Sequence, residues 1–103
     1  MIALLAEKQA ELAALCRGFH VARLDVFGSA VTGGFVPDQS DLDFLVSFEP
    51  PPERSLTTFL DFKEALESLF GIPVDLVERE AVEANPNYIR RRRILAEAEP
   101  IYG

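Results

Sequence analysis

The sequence predicts an α+β fold, a small mixed β-sheet packed by helices. Three observations predict it. Apolar residues recur at helical spacing along residues 2–19 and again along 56–70. Apolar runs of strand length stand at Val21–Phe27, Leu42–Phe48 and Val74–Val77, each next to a Gly, Pro or Ser-Asp break. The resulting order is helix, strand, strand, helix, strand, helix, within one domain spanning residues 1–103.

Each element has a local cause. Along residues 2–17, Ile2, Leu5, Leu12, Leu15, Cys16 and Phe19 form a helical seam, with Glu7, Lys8 and Glu11 on the wet side and Gly18 as the stop. Cys16 lies on that seam and reads as a small buried hydrophobe. His20, the single histidine, reads as a loop residue. Val21–Phe27 is the first strand, and Gly28 to Ser40 forms a turn and return loop with Gly33, Gly34 and Pro37 as breakers. The small residues from Ala30 to Gly34 are able to start a short helix. Leu42–Phe48 is the second strand, and Pro50-Pro51-Pro52 forces an extended connector that cannot continue the sheet.

Ser55 caps a helix running to about Phe70, with Leu56, Phe59, Leu60, Leu66, Leu69 and Phe70 inward. Gly71 and Pro73 end it. Val74–Val77 is the third strand, its alternation placing Asp75 opposite Val74 and Leu76. Asn85-Pro86 starts the last helix, which carries Arg90 to Arg93 and ends before Pro100.

Composition bounds the function. With 103 residues, 49% hydrophobic and 26% charged, the chain reads as a soluble globular protein near the lower comfortable size for its own core. No apolar run approaches a membrane span, no secretory leader is visible, and one cysteine suits a reducing cytoplasm. A net charge of −7 argues against direct nucleic-acid binding and in favour of a protein partner.

The chemistry concentrates between residues 26 and 48. Asp41 and Asp43 stand at the entrance of the second strand, on one side of it, roughly 7 Å apart at Cα. Two carboxylates at that spacing repel, and Asp is depleted in strands, so a cation between them is the simplest reason for the pair. Magnesium is the natural candidate, being shared between carboxylates and substrate phosphates. Gly28-Ser29 ends the first strand, where a glycine lets the backbone approach an anion and Ser29 adds a hydroxyl. An anion cradle and paired carboxylates on successive strands describe a metal-dependent nucleotide site. The bland alternative is turn chemistry by Ser40-Asp41, which explains Asp41 and leaves Asp43 without a reason.

Gly-Ser, then Asp-x-Asp on a strand, then a third carboxylate on a later strand, resembles the signature of the nucleotidyltransferase (DNA polymerase beta) superfamily. The residues are Gly28-Ser29, Asp41-Leu42-Asp43 and Asp75, and the NPNYIRRR…EPIYG ending also looks like the minimal nucleotidyltransferases (MNT). The resemblance covers about residues 20 to 103 and implies the polymerase-beta palm-like fold. It implies two-metal catalysis with two magnesium ions, Asp41, Asp43 and Asp75 as catalytic and metal-binding residues, and Gly28 and Ser29 holding the phosphates. In that scheme Asp75 orients or deprotonates the nucleophile.

MNT proteins resemble antitoxins paired with HEPN-type ribonuclease toxins. The implied activity is transfer of AMP from ATP to a toxin tyrosine, within a hetero-oligomer. Its alternative is an antitoxin of this fold that acts by binding alone. Thr32 stands where many relatives carry arginine. Arg90 to Arg93 point all round their helix. Some are solvated charge paired with Glu97 or Glu99, and one or two meet a phosphate or an acidic partner surface.

Overall fold

The computed structural model describes residues 3–36, 39–50 and 56–103. Among them, strands β1 (Val21–Phe27), β2 (Leu42–Phe48), β3 (Val74–Glu78) and β4 (Glu99–Tyr102) form one sheet in the order β3-β2-β1-β4. β1 pairs antiparallel with both β2 and β4, while β2 and β3 run parallel. The sheet is mixed, as the sequence predicts. The parallel pair requires a long crossover, which helix α4 (Leu56–Phe70) provides.

The main core lies on the face that α4 covers together with α1 (Ala3–Glu7) and α2 (Gln9–Gly18). Leu24, Val26, Leu42, Phe44 and Val46 alternate onto this face and meet Leu12, Cys16, Phe62, Leu66 and Phe70. Phe62 is fully buried between the rings of Phe19, 5.3 Å away, and Phe48, 6.0 Å away. Burial of that one side chain contributes about 2–3 kcal/mol. Cys16 is buried here too, and burial pushes its thiol up to about 12, so it is inert at neutral pH.

The opposite face carries a smaller cluster of Phe27, Leu45, Val82 and Ile94 beneath α5 (Arg79–Glu83) and α6 (Tyr88–Glu97). Asp25 is fully buried on this face. Its Oδ1 accepts from Arg23 Nε at 2.7 Å and its Oδ2 from an Arg79 terminal nitrogen at 2.7 Å, so the carboxylate is held between two guanidinium groups.

Several local expectations need correction. The N-terminal seam is two helices, because Lys8 leaves helical geometry at φ −109°, ψ 18°. Leu56 and Leu60 face solvent, 72% and 49% exposed, and the buried row of α4 is Phe62, Leu66 and Phe70. Leu60 lies about 200° around the helix from Phe62, and the larger ring claims the core. The cap of α6 is Asn87, which accepts from the Arg90 amide at 3.1 Å, while Asn85 accepts from the Asn87 amide in a turn before it. β4 and α5 were not foreseen. Pro100 sits within β4 because an edge strand tolerates a missing donor. The expected Ser55 cap and most of the proline connector fall outside the described residues. Among those residues, no helix is long and apolar enough to cross a membrane.

Candidate active site

Strand register sets the site. Asp43 is paired at Cα with Phe27 of β1 on one side and with Asp75 of β3 on the other. Two residues earlier on the same side stands Asp41, just before β2, exposed at the strand mouth. The parallel pairing that brings Asp43 and Asp75 together is fixed at its start by the Leu42 amide donating to Pro73 O at 3.0 Å. Glu67 of α4 accepts from the Val74 amide at 3.0 Å, and that bond holds its carboxyl below the usual carboxylate range. The crossover helix thus pins β3 one residue before its acidic position.

Gly28 follows β1 with φ 72° and ψ −146°, a conformation that side-chain-bearing residues avoid. A Cβ built there would overlap the Asp43 carboxylate, meeting Oδ2 first and standing 3.1 Å from Cγ. Only a glycine leaves that carboxylate its place. Ser29 opens α3 (Ser29–Thr32), the short helix that the small residues foreshadow, and its hydroxyl is half-buried. As in any helix, the first amides lack partners within the helix. Thr32 turns its hydroxyl back to Gly28 O at 3.2 Å.

The turn chemistry of the return loop falls to Ser40, whose Oγ accepts from the Val36 amide at 2.9 Å. Among the described residues the Asp41 carboxylate has no hydrogen-bond partner, which leaves it available. Asp43 is half-buried and its pKa is pushed up to about 6, first by burial, then by the charges of Asp75, Asp41 and Glu97. The charges of Asp41 and Asp75 are thus felt at Asp43.

α6 closes the other side. Phe27, Gly28, Arg90, Arg93, Ile94 and Glu97 line a cavity of about 340 Å³ beside the Gly28 turn. From sequence, Glu97 is not assigned to the site, and one or two of Arg90 to Arg93 are expected to meet a phosphate or an acidic partner surface without its being fixed which. Arg90 and Arg93 are the two that line the cavity with Glu97. Their spacing at i, i+3 and i+7 is the available signal, and it is masked by the adjacent Arg91 and Arg92.

The donor set suits magnesium: hard carboxylate oxygens, with Asp43 raised first by burial and then by neighbouring negative charges that a divalent cation would offset. Among the described residues no three such side chains already form a metal-binding cluster. They form an open row on two strands, which fits an ion that keeps waters and takes oxygens from substrate phosphates.

This fold and row of carboxylates define a nucleotidyltransferase-like domain. The sequence model of the nucleotidyltransferase domain matches residues 11–98, and the chain belongs to that family. It is 44% identical over 66 residues to the protein adenylyltransferase MntA of Thermococcus cleftensis, a match spanning 64% of this chain and 64% of that protein. The solved structure of a protein assigned as a minimal nucleotidyltransferase superposes with a TM-score of 0.73 at 35% identity, covering 96% of each chain. A toxin–antitoxin structure with AMP-PNP shares the fold at TM-score 0.69 and 18% identity, covering 92% of this chain and 73% of that one. So does the Shewanella oneidensis complex of a tri-AMPylated HEPN toxin with its MNT antitoxin, at TM-score 0.64 and 16% identity, covering 95% and 71%.

Proposed function

We propose that this chain is a magnesium-dependent protein adenylyltransferase and antitoxin, working in the cytoplasm, that transfers AMP from ATP to a tyrosine of a partner HEPN-type ribonuclease toxin. The observation that carries the reading is the juxtaposition of Gly28 against Asp43, with Asp75 in register beside it, in a chain of the nucleotidyltransferase family. The likeness to an adenylyltransferase and to MNT–HEPN complexes supports the choice of AMP and of the partner.

Each residue has a role that its placement supports. Gly28 lets backbone come close to the terminal phosphates, and Ser29 offers a hydroxyl donor to them. Asp41, Asp43 and Asp75 would hold magnesium, which when bound supplies neutralisation of the triphosphate and activation of the attacking oxygen. Asp75, exposed at the open edge strand, orients the acceptor hydroxyl and takes its proton. The phenolic oxygen bonds to the α-phosphorus, the bond from that phosphorus to the bridging oxygen breaks, and pyrophosphate leaves. No separate acceptor-binding module is needed when the partner brings the tyrosine.

The test is label transfer with the protein encoded beside this one, provided that it is a small helical HEPN-type chain. Label in the α-phosphate of ATP is expected on the partner and label in the γ-phosphate is not. Transfer of γ-label, or of neither, would refute the reading.

A further inference from the structure

The cleft is acidic where a triphosphate must sit. Asp41, Asp43, Asp75 and Glu97 gather there, and the Gly28–Gly34 turn carries no cationic side chain at all. Magnesium offsets part of the charge, yet the β- and γ-phosphates remain anionic and need further neutralisation. The cations that border this cavity come from α6 and are Arg90 and Arg93.

The four consecutive arginines divide by helix face. Arg91 is turned away from the cavity, with one terminal nitrogen on Asn85 O at 3.1 Å and its guanidinium 5.7 Å from the centre of the Tyr88 ring. Arg92 donates to the Tyr88 hydroxyl at 3.1 Å. Arg90 and Arg93, three residues apart, share the face of Ile94 and Glu97 that looks onto Gly28. Arg93, its side chain 78% exposed, donates to the 24% exposed Glu97 at 3.3 Å, a long contact worth little. Among the described residues the Arg90 guanidinium has no hydrogen-bond or ion-pair partner. One guanidinium unpartnered among the described residues and one weakly held guanidinium therefore line the cavity with Gly28.

The geometry points to Arg90 and Arg93 as the residues that recognise the triphosphate, gripping its β- and γ-phosphates from the α6 side while Gly28 and Ser29 approach from the sheet side. This rests on the nucleotidyltransferase reading above and assigns two further residues to the hold on the β- and γ-phosphates. A guanidinium fork pairs with two phosphate oxygens at once, and the largely exposed Arg93, held to Glu97 only by a 3.3 Å contact, is free to reach phosphate.

The test is calorimetric titration of the intact chain with magnesium AMP-PNP and, separately, magnesium AMP. Arg90→Gln, Arg93→Gln and the double variant are compared with Arg92→Gln as the control on the opposite face. Each single variant is expected to weaken AMP-PNP about tenfold, for loss of one charged contact, and the double variant further. AMP binding is expected to change less than about twofold, and Arg92→Gln to match wild type for both. Melting curves check that all variants are folded. Failure of the wild type to bind AMP-PNP would overturn the nucleotide reading together with this assignment. Equal affinity of the double variant and wild type would overturn the assignment alone, leaving α6 to an acidic partner surface. Equal weakening by Arg92→Gln would do the same by reducing the effect to general charge.

Discussion

Gly28 and Asp43 are in mutual contact across β1 and β2, so close that a Cβ on residue 28 would overlap the Asp43 carboxylate. The contact ties the Gly28 turn to the central acidic residue. Gly28→Ala therefore meets two penalties at once, a positive φ and an overlap with the Asp43 side-chain carboxylate, which must move aside. The expected cost is about 2 kcal/mol of stability, with loss of AMP transfer because Asp43 is displaced. Urea unfolding and label transfer measure both, and a fully active Gly28→Ala protein would show that the turn is not part of the site.

Asp43 also sets a pH dependence. Its folded-state pKa of about 6 lies above the ordinary 3.8, so the folded state favours the protonated form. The stabilising contribution is complete below the ordinary value and is lost as pH rises through about 6. Asp43→Asn abolishes that loss. In chelator at neutral pH the variant should be more stable by about 1 kcal/mol, a modest figure because the half-exposed group is screened by solvent. Melting temperatures of both proteins across this pH range give the difference curve. A flat difference would mean that the neighbouring carboxylates do not press on Asp43.

The buried carboxylate of Asp25 makes a prediction about folding. Arg79 reaches it from the start of α5 and Arg23 from its own strand, at 20% and 47% side-chain exposure. Asp25→Ala strands a guanidinium whose Nε has no partner among the described residues, and should cost about 3–5 kcal/mol. Arg23→Gln, on the wet side, should cost less than about 1 kcal/mol. Urea denaturation ranks them, and equal losses would show that Arg79 contributes nothing.

The legible part of the site was that encoded by strand alternation. Asp41 and Asp43 share a side because they are two apart, and Asp75 declares itself by sitting between Val74 and Leu76. Asp25 gave no such sign, since its partner Arg79 is 54 positions away and the pairing exists only after β1 and β3 share a sheet. The α6 face was hidden for a different reason. Four arginines in a row have no period, and only the packing of Ile94 decides which two look into the cleft. β4 escaped notice because four residues including Glu99 and Pro100 carry no strand pattern, and its pairing with β1 is tertiary.

The most direct measurement is intact mass of the HEPN-type partner after incubation with ATP and magnesium, using wild-type chain and Asp43→Asn side by side. Both proteins are expected to form the complex, because Asp43→Asn keeps the side chain's shape and alters no exposed outer surface. The partner should gain the mass of one or more AMP groups with wild type and none with Asp43→Asn. An unmodified partner that wild type nevertheless silences, or one modified equally by Asp43→Asn, would contradict an Asp43-dependent adenylyltransferase, the first result pointing to neutralisation by binding alone.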